Sequence, residues 1–280
     1  MTSLEDYSLV NVIKRGSFGT ICLYRKLLDD QLVVIKQIIH DHSNDSELNE
    51  CKNEVAILSK LHHPHIIEYF DSFIQHQCLH IVMEYATHST LQDFIKQRNG
   101  QMLTQNELLF LFSQLLLAVH FIHASKILHR DIKPCNILLT GSKGNLLKLS
   151  DFGISKLLNT TNNARSIVGT PSYLSPELCL GKPYSTQSDI WAMGCVLYFM
   201  TTHKIAFQAS NLGSIVNNIL HGVLTDLQDQ DTYDERLPRL IANMLEREPE
   251  HRPSTDQLMA HSLLVPHVYG LMLNCGLEYV

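Results

Sequence analysis

Two polar motifs joined by a short hairpin constrain this chain more than any other feature. The segment His129-Arg130-Asp131-Ile132-Lys133-Pro134-Cys135-Asn136 has neither helical nor strand period, so it reads as a loop. After it comes the apolar run Ile137-Leu138-Leu139, and before Asp151-Phe152-Gly153 comes Leu146-Leu147-Lys148-Leu149. Two short apolar runs around a turn at Gly141 to Asn145 predict a β-hairpin. Such a hairpin brings Asn136 and Asp151 to the same end of the strand pair, close enough to share one cation. An amide oxygen and a carboxylate suit Mg²⁺, a hard ion bound through few protein groups and completed by substrate phosphates. Asp131 is left to orient a hydroxyl. The layout suits phosphoryl transfer.

Composition narrows the setting. A chain of 280 residues with 45% apolar content can bury a sizeable core as one large domain or two lobes. The net charge of −6 is mild and Lys and Arg are scattered, which argues against a nucleic-acid partner. Seven cysteines form no CxxC pair and read as thiols of a reducing compartment. His62-His63-Pro64-His65 reads as a loop after a helix rather than as a metal site. No basic, apolar leader opens the chain at Met1 to Tyr7. The apolar stretch Leu108 to Ile122 contains Ser113, Gln114 and His120 and is too short to span a bilayer; it reads as a buried helix. A soluble, cytoplasmic protein without a membrane partner is expected.

The front of the chain reads as strands: Leu9 to Ile13, Thr20 to Tyr24, Leu32 to Ile39, Ile66 to Tyr69 and Leu79 to Tyr85. Gly16-Ser17-Phe18-Gly19 falls between the first two. Glycines there let backbone N–H groups approach phosphates, or simply turn a hairpin. No G-x-x-x-x-G-K-[ST] run occurs, which excludes a P-loop. Lys36 ends the apolar run Val33-Val34-Ile35 and is either a solvated edge lysine or a paired one. Leu48, Cys51, Val55 and Leu58 recur at helical spacing, with Glu54 at the margin of the stripe. A half-buried carboxylate there needs a cation, and Lys36 is the obvious partner.

A polar break at Thr87-His88-Ser89-Thr90 follows, with Ser89 or Thr90 as helix N-cap. Helices are then expected at about 90–98, 104–123, 186–201, 211–221, 234–246 and 255–262. A strand-rich front and a helix-rich back predict an α+β fold of two lobes, residues 1–86 and 87–264. Residues 265–280 read as a short tail with Tyr269, Met272 and Leu277, docked on the larger lobe or disordered.

Lys36, Glu54, His129-Arg130-Asp131, Asn136 and Asp151-Phe152-Gly153, in this order, resemble a eukaryotic protein kinase. Ser175-Pro176-Glu177, Ser188-Asp189-Ile190-Trp191 and Arg252 also match, so the likeness runs from about Tyr7 to Leu264. Asp29 to Lys36, Asp151 to Lys156 and Val168-Gly169-Thr170-Pro171 through Tyr184 resemble the NIMA-related (NEK) kinases, most of all the eighth and ninth members. Those members carry a C-terminal repeat propeller that the 280 residues do not include.

The resemblance implies a two-lobed protein-kinase fold with a β-rich small lobe carrying one main helix. It also implies ATP and Mg²⁺ as cofactors and proteins as substrates. ATP is implied to lie against Ile13, Gly16, Gly19, Ile21, Val34, Met83, Glu84, Ala86 and Leu138, with Met83 as gatekeeper and Glu84 to Ala86 as hinge. Lys36, held by Glu54, is implied to contact the phosphates. Asn136 and Asp151 are implied to hold the metal, and Asp131 to orient the substrate hydroxyl. Lys133 and Thr170 match the serine/threonine branch, and Glu177 with Arg252 is the implied buried ion pair. The long segment from Asp151 to Glu177 disfavours a lipid or small-molecule substrate.

Regulation is implied as well. Arg130 is a fixed cation beside an acid and asks for an anion, such as a phosphorylated activation segment. Ser166 holds the family's usual phosphosite, with Thr160, Thr161 and Thr170 as rivals. Lys156 is a second phosphate ligand, and Glu50 stands where a third basic ligand is often found. Either an activating kinase or autophosphorylation supplies the phosphate. Tyr69 is a core aromatic, or an inward-turning switch as in several relatives. Leu58, Tyr69, His129 and Phe152 fall at the positions of the family's stacked apolar column. The relatives associate with centrosomes or cilia. One departure stands out: Lys14 replaces the first glycine of the family's loop, which keeps open a nucleotide-binding scaffold without efficient transfer.

Overall fold

The computed structural model describes residues 2–16, 19–39, 55, 58–151, 171–224 and 232–275. They divide into two compact units that part between Thr87 and His88.

The first unit is built on an antiparallel sheet of β1 (Tyr7–Gly16), β2 (Gly19–Lys26), β3 (Leu32–Ile39), β4 (Tyr69–Gln75) and β5 (Cys78–Glu84), in the order β1-β2-β3-β5-β4. Strand residues point alternately to the two faces. Cys22, Tyr24, Val33, Ile35 and Val82 fill one core cluster with Tyr7. Ile81 and Leu79 turn the other way, toward Val55, Leu58, Tyr69 and Met83.

The strand expected at Ile66 to Tyr69 is displaced. Ile66 makes only an isolated bridge, and the ladder to β5 begins at Tyr69 and runs to Gln75. The cause is the next turn, where His76 and Gln77 both take positive φ, 49° and 59°. Two left-handed residues make a tight two-residue hairpin, normally signalled by Asn-Gly. Here nothing in the sequence announces it.

The second unit is mainly helical: α1 (Leu91–Gln97), α2 (Gln105–Ala124), α3 (Pro176–Cys179), α4 (Thr186–Thr202), α5 (Leu212–His221), α6 (Arg236–Met244), α7 (Thr255–Met259) and α8 (Val265–Cys275). A two-stranded sheet of β6 (Ile137–Thr140) and β7 (Leu146–Leu149) lies against α2. Thr90 caps α1, its side chain accepting from the Asp93 N–H. In α4 every residue from Ser188 to Thr202 is buried, so this helix is the post around which the unit packs.

One expectation changes here and another is resolved. The apolar helix runs 20 residues, long enough by length and composition to cross a bilayer. It is nonetheless a core helix, largely buried and packed on β7, α4, α7 and α8. Of the two alternatives for the chain beyond Leu264, docked or disordered, the structure shows docking, against α2 of the helical unit. The segment forms α8, with Pro266 in its first turn where a missing N–H costs nothing. Val268, Leu271 and Met272 are buried and Tyr269 is exposed; Leu277 lies outside the described residues.

Candidate active site

The β6–β7 hairpin pairs Ile137 with Leu149 and Thr140 with Leu146. One residue further, the Ser150 N–H and hydroxyl both donate to the Asn136 carbonyl, at 2.9 and 3.0 Å. This pairing brings Asn136 and Asp151 to one end of the hairpin, as the apolar runs predict. The hairpin is oriented by a buried polar residue of α2: Gln114 donates to the Asn145 carbonyl at 3.0 Å and accepts from the Leu147 N–H at 2.8 Å.

Asp131 sits at the centre of a short-range network. Its Oδ2 accepts from Lys133 Nζ at 2.6 Å and from Asn136 Nδ2 at 2.8 Å. The same amide nitrogen donates to the Asp131 carbonyl at 2.9 Å. With Nδ2 committed to Asp131, Asn136 has Oδ1 as its acceptor group; the Cys135 thiol is its weak neighbour at 3.7 Å. Arg130 and Asp151 both take left-handed backbone conformations, φ 67° and 52°. Such conformations are uncommon outside glycine and persist only where the surroundings enforce them.

The enforcement comes from buried groups. His129 is fully buried, accepts the Asp131 N–H on Nδ1 at 3.3 Å, and meets the Ser150 carbonyl through Nε2 at 3.0 Å. Those partners define a neutral ring protonated on Nε2, and burial pushes its pKa down despite the nearby carboxylates. Asp189, in the first turn of α4, accepts the His129 N–H at 3.0 Å and the Arg130 N–H at 3.1 Å. It also accepts from Tyr184 Oη at 2.5 Å and meets His123 Nε2 at 2.8 Å. Burial alone would raise this carboxyl, but His123 and the other donors hold it below the usual carboxylate range.

A second buried carboxylate lies nearby in the chain. Glu177 forms a bidentate pair with Arg252, at 2.9 and 2.8 Å, and accepts from Ser188 Oγ at 2.5 Å. Arg252 donates further to the Gln187, Glu246 and Arg247 carbonyls and stacks over Trp191, 5.0 Å from its ring centre. Against the burial that would raise it, this guanidinium lowers the Glu177 pKa to about 2.

In the first unit, register gathers another set. Ile21 pairs with Lys36, Val34 with Met83 and Lys36 with Ile81, so Ile21, Val34, Lys36 and Met83 share one sheet face. Glu84 ends β5, and Ala86 is buried two residues on. Gly16 pairs with Gly19 at the β1–β2 turn, where Ile13 and Lys14 lie beside a register irregularity on an exposed strand. Gly19 is obligatory. Its φ is 130°, and a Cβ would stand 2.0 Å from the Gln37 carbonyl oxygen. Tyr69 packs beside Leu58 against the Val55 cluster and donates its hydroxyl to Ser72 at 2.9 Å.

Leu138 belongs to β6 and bridges to Thr90. Glu50, Glu54, Phe152, Lys156, Thr160, Thr161, Ser166 and Thr170 lie outside the described residues. Sequence reasoning gave no role to His123, Tyr184 or Ser150 and placed Asp189 only in a motif. A polar residue inside an apolar helix, such as Gln114, is the one signal that could have found such anchors.

The donor set fits a magnesium–nucleotide. Among the described residues no group of three or more His, Cys, Asp or Glu could hold a metal alone. One amide oxygen and one carboxylate, completed by phosphates, is the sparse set Mg²⁺ accepts.

The family model described as the protein kinase domain matches residues 7–264. Serine/threonine-protein kinase Nek8 of Danio rerio is 41% identical over 273 residues, covering 98% of this chain and 39% of its own length. Serine/threonine-protein kinase nekl-2 of Caenorhabditis elegans is 38% identical over 282 residues, covering 98% of this chain and 78% of its own. Serine/threonine-protein kinase Nek1 of Mus musculus is 39% identical over 266 residues, 95% of this chain and 22% of its own. The chain therefore spans well under half of two of these relatives and most of the third.

Proposed function

Since this chain belongs to the protein kinases, among their NIMA-related serine/threonine members, we propose that it transfers the γ-phosphoryl group of ATP to serine and threonine hydroxyls of protein substrates. The observation that carries the reading is the Asp131 carboxylate, held by Lys133 and Asn136 at 2.6 and 2.8 Å. Asn136 is at the same time tied by the hairpin beside Asp151. Bound magnesium supplies charge neutralisation at the phosphates, and Asn136 and Asp151 are the residues to hold it. Asp131 orients the acceptor hydroxyl and takes its proton. Lys133 balances the Asp131 charge and faces the transferred group. Lys36, with Glu54 as its partner, contacts the remaining phosphates. Chain groups fixed before substrate arrives lower the barrier through position and charge.

A radiolabel transfer assay tests the reading directly. Asp131→Asn and Lys36→Met each abolish incorporation while Mg-ATP binding to Asp131→Asn persists; full activity in either variant breaks the assignment. Binding of Mg-ATP by the unaltered protein without turnover, even after phosphorylation, would instead identify the scaffold that Lys14 leaves open. Regulation follows the same logic. Arg130 receives a phosphate on Ser166, and mass spectrometry of active protein finds that site modified.

A further inference from the structure

The buried carboxylate under the catalytic loop is gripped from two sides. Among the described residues Asp189 carries four contacts, two on each oxygen. Oδ2 takes the His129 N–H and His123 Nε2, while Oδ1 takes the Arg130 N–H and the Tyr184 hydroxyl. A carboxylate only accepts, so His123 and Tyr184 both donate. Each oxygen thus pairs one side-chain donor with one N–H of the loop.

The two loop residues differ in what they ask of Asp189. His129 is also fixed by its ring, which meets the Ser150 carbonyl and the Asp131 N–H. Arg130 is held at Oδ1 in a left-handed conformation, φ 67°, which persists only where surroundings enforce it. The terminal torsion of an aspartate is soft. Contacts on Oδ2 alone would let Oδ1 swing away from the Arg130 N–H, and Asp131 is the next residue. The second donor on Oδ1 is what stops that swing.

Tyr184 is well placed to do so. It stands between α3 and α4 on a segment tied on both sides. The Lys182 N–H donates to the Glu177 carbonyl at 2.8 Å, and the Ser185 N–H donates to Ser188 Oγ at 3.2 Å. Ser188 donates in turn to the Glu177 carboxylate that pairs with Arg252. Burial and the neighbouring Asp189 charge push the phenol up, so the hydroxyl keeps its proton and goes on donating.

We infer that Tyr184 is a positioning residue for phosphoryl transfer: its hydroxyl locks Asp189 Oδ1 onto the Arg130 N–H and so sets where Asp131 stands. The inference rests on the phosphotransfer reading and extends it to a residue outside the reacting groups.

The test compares Tyr184→Phe with Tyr233→Phe. Each deletes one phenol hydroxyl from the helical unit; that of Tyr233 serves the Leu103 carbonyl, an acceptor outside the catalytic loop, at 2.8 Å. Tyr184→Phe strands no donor and leaves Asp189 three, so it folds. The readouts are kcat, the KM values for Mg-ATP and a serine peptide, Tm, and amide hydrogen exchange at His129 and Arg130 by NMR. Tyr184→Phe lowers kcat about tenfold with both KM values within about twofold of the parent. It also speeds exchange at Arg130 more than at His129. Tyr233→Phe lowers Tm and leaves kcat at the parent value. An unchanged kcat in Tyr184→Phe, or an equal fall in both variants, overturns the inference and leaves the kinase reading intact. Exchange raised equally at both amides overturns it too, since that marks a loop loosened as a whole. A parent protein that transfers no phosphate sinks the kinase reading instead. Exchange then decides alone: selective acceleration at Arg130 upholds the link from Tyr184 through Asp189, and its absence overturns it.

Discussion

The sheet unit and the helical unit position their functional groups by different means. In the sheet, Lys36 is placed by register: backbone ladders to β2 and β5 put it on the face shared by Ile21, Val34 and Met83. In the helical unit, Asp131 lies in a loop with no ladder of its own. Its position depends on side chains recruited from far along the chain, above all Asp189, which holds the His129 and Arg130 N–H groups. Register distributes its cost over many weak bonds, so single side chains in the sheet are replaceable. A buried polar anchor concentrates the cost in one residue. The helical unit is therefore the more fragile of the two to point substitution.

The largest expected effect follows from Asp189. Asp189→Ala strands the His129 and Arg130 N–H groups and the Tyr184 hydroxyl in a buried site. At about 1–3 kcal/mol for each orphaned group, the loss is on the order of 5 kcal/mol, read by urea denaturation. Asp189→Asn keeps the shape and loses acceptors, so it folds; kcat falls on the order of 100-fold because the loop carrying Asp131 shifts. Sheet-like tolerance at this position, with kcat within twofold, would erase the contrast.

Next in size is the pair of Glu177 and Arg252. Arg252→Met leaves a buried carboxylate uncompensated and costs about 3–5 kcal/mol. The pair also carries a pH signature. The Glu177 pKa is about 2 in the folded chain against an ordinary 4.5. Its stabilisation is therefore complete above the ordinary value and is lost as pH falls from about 4.5 toward 2. Denaturation midpoints measured between pH 7 and pH 3 show this loss, and Glu177→Gln removes its share of the slope.

The sheet supplies its own exception in Gly19, where backbone carries the whole constraint. Gly19→Ala meets the Gln37 carbonyl and needs a φ that side chains resist. Strain alone costs on the order of 1–3 kcal/mol. Gly16→Ala, whose nearest atom is 3.8 Å away, costs less than about 1 kcal/mol. Thermal melting and nucleotide KM separate the two, and equal effects would mean the turn differs from its described geometry.

The same contrast explains what could be read from the residues. Alternation and apolar runs carry the sheet, the β6–β7 hairpin and the long helices, because those features have a period. Thr90 as a cap and the Asn136–Asp151 juxtaposition follow from local chemistry. The β4 boundary escaped because His76-Gln77 adopts a turn usually written with glycine. The helix after Leu264 escaped because so short a terminal segment carries little period, and its helical form depends on docking against α2. Asp189 and Tyr184 escaped for a deeper reason. The partners of Asp189 lie up to 66 residues away, Tyr184 acts only through that carboxylate, and no local pattern encodes which buried carboxylate will meet which loop.

The smallest effect probes whether the long helix couples to the site. Thr104 and Glu107 form a capping box at the start of α2: the Glu107 N–H donates to Thr104 Oγ1 at 3.2 Å, and Glu107 Oε2 accepts the Thr104 N–H at 2.8 Å. Thr104→Ala removes the cap and costs about 1 kcal/mol. For a protein of this size that lowers Tm by roughly 2–4 °C. The cap lies three turns before the Gln114 contact with the hairpin, and helix ends fray within the first turn. Turnover at saturating peptide and nucleotide therefore stays at the parent value while Tm falls. A parallel fall in kcat would show that the first turn of α2 is transmitted through Gln114 to Asn136 and Asp151, which would make the helix as much a part of the site as Asp189 is.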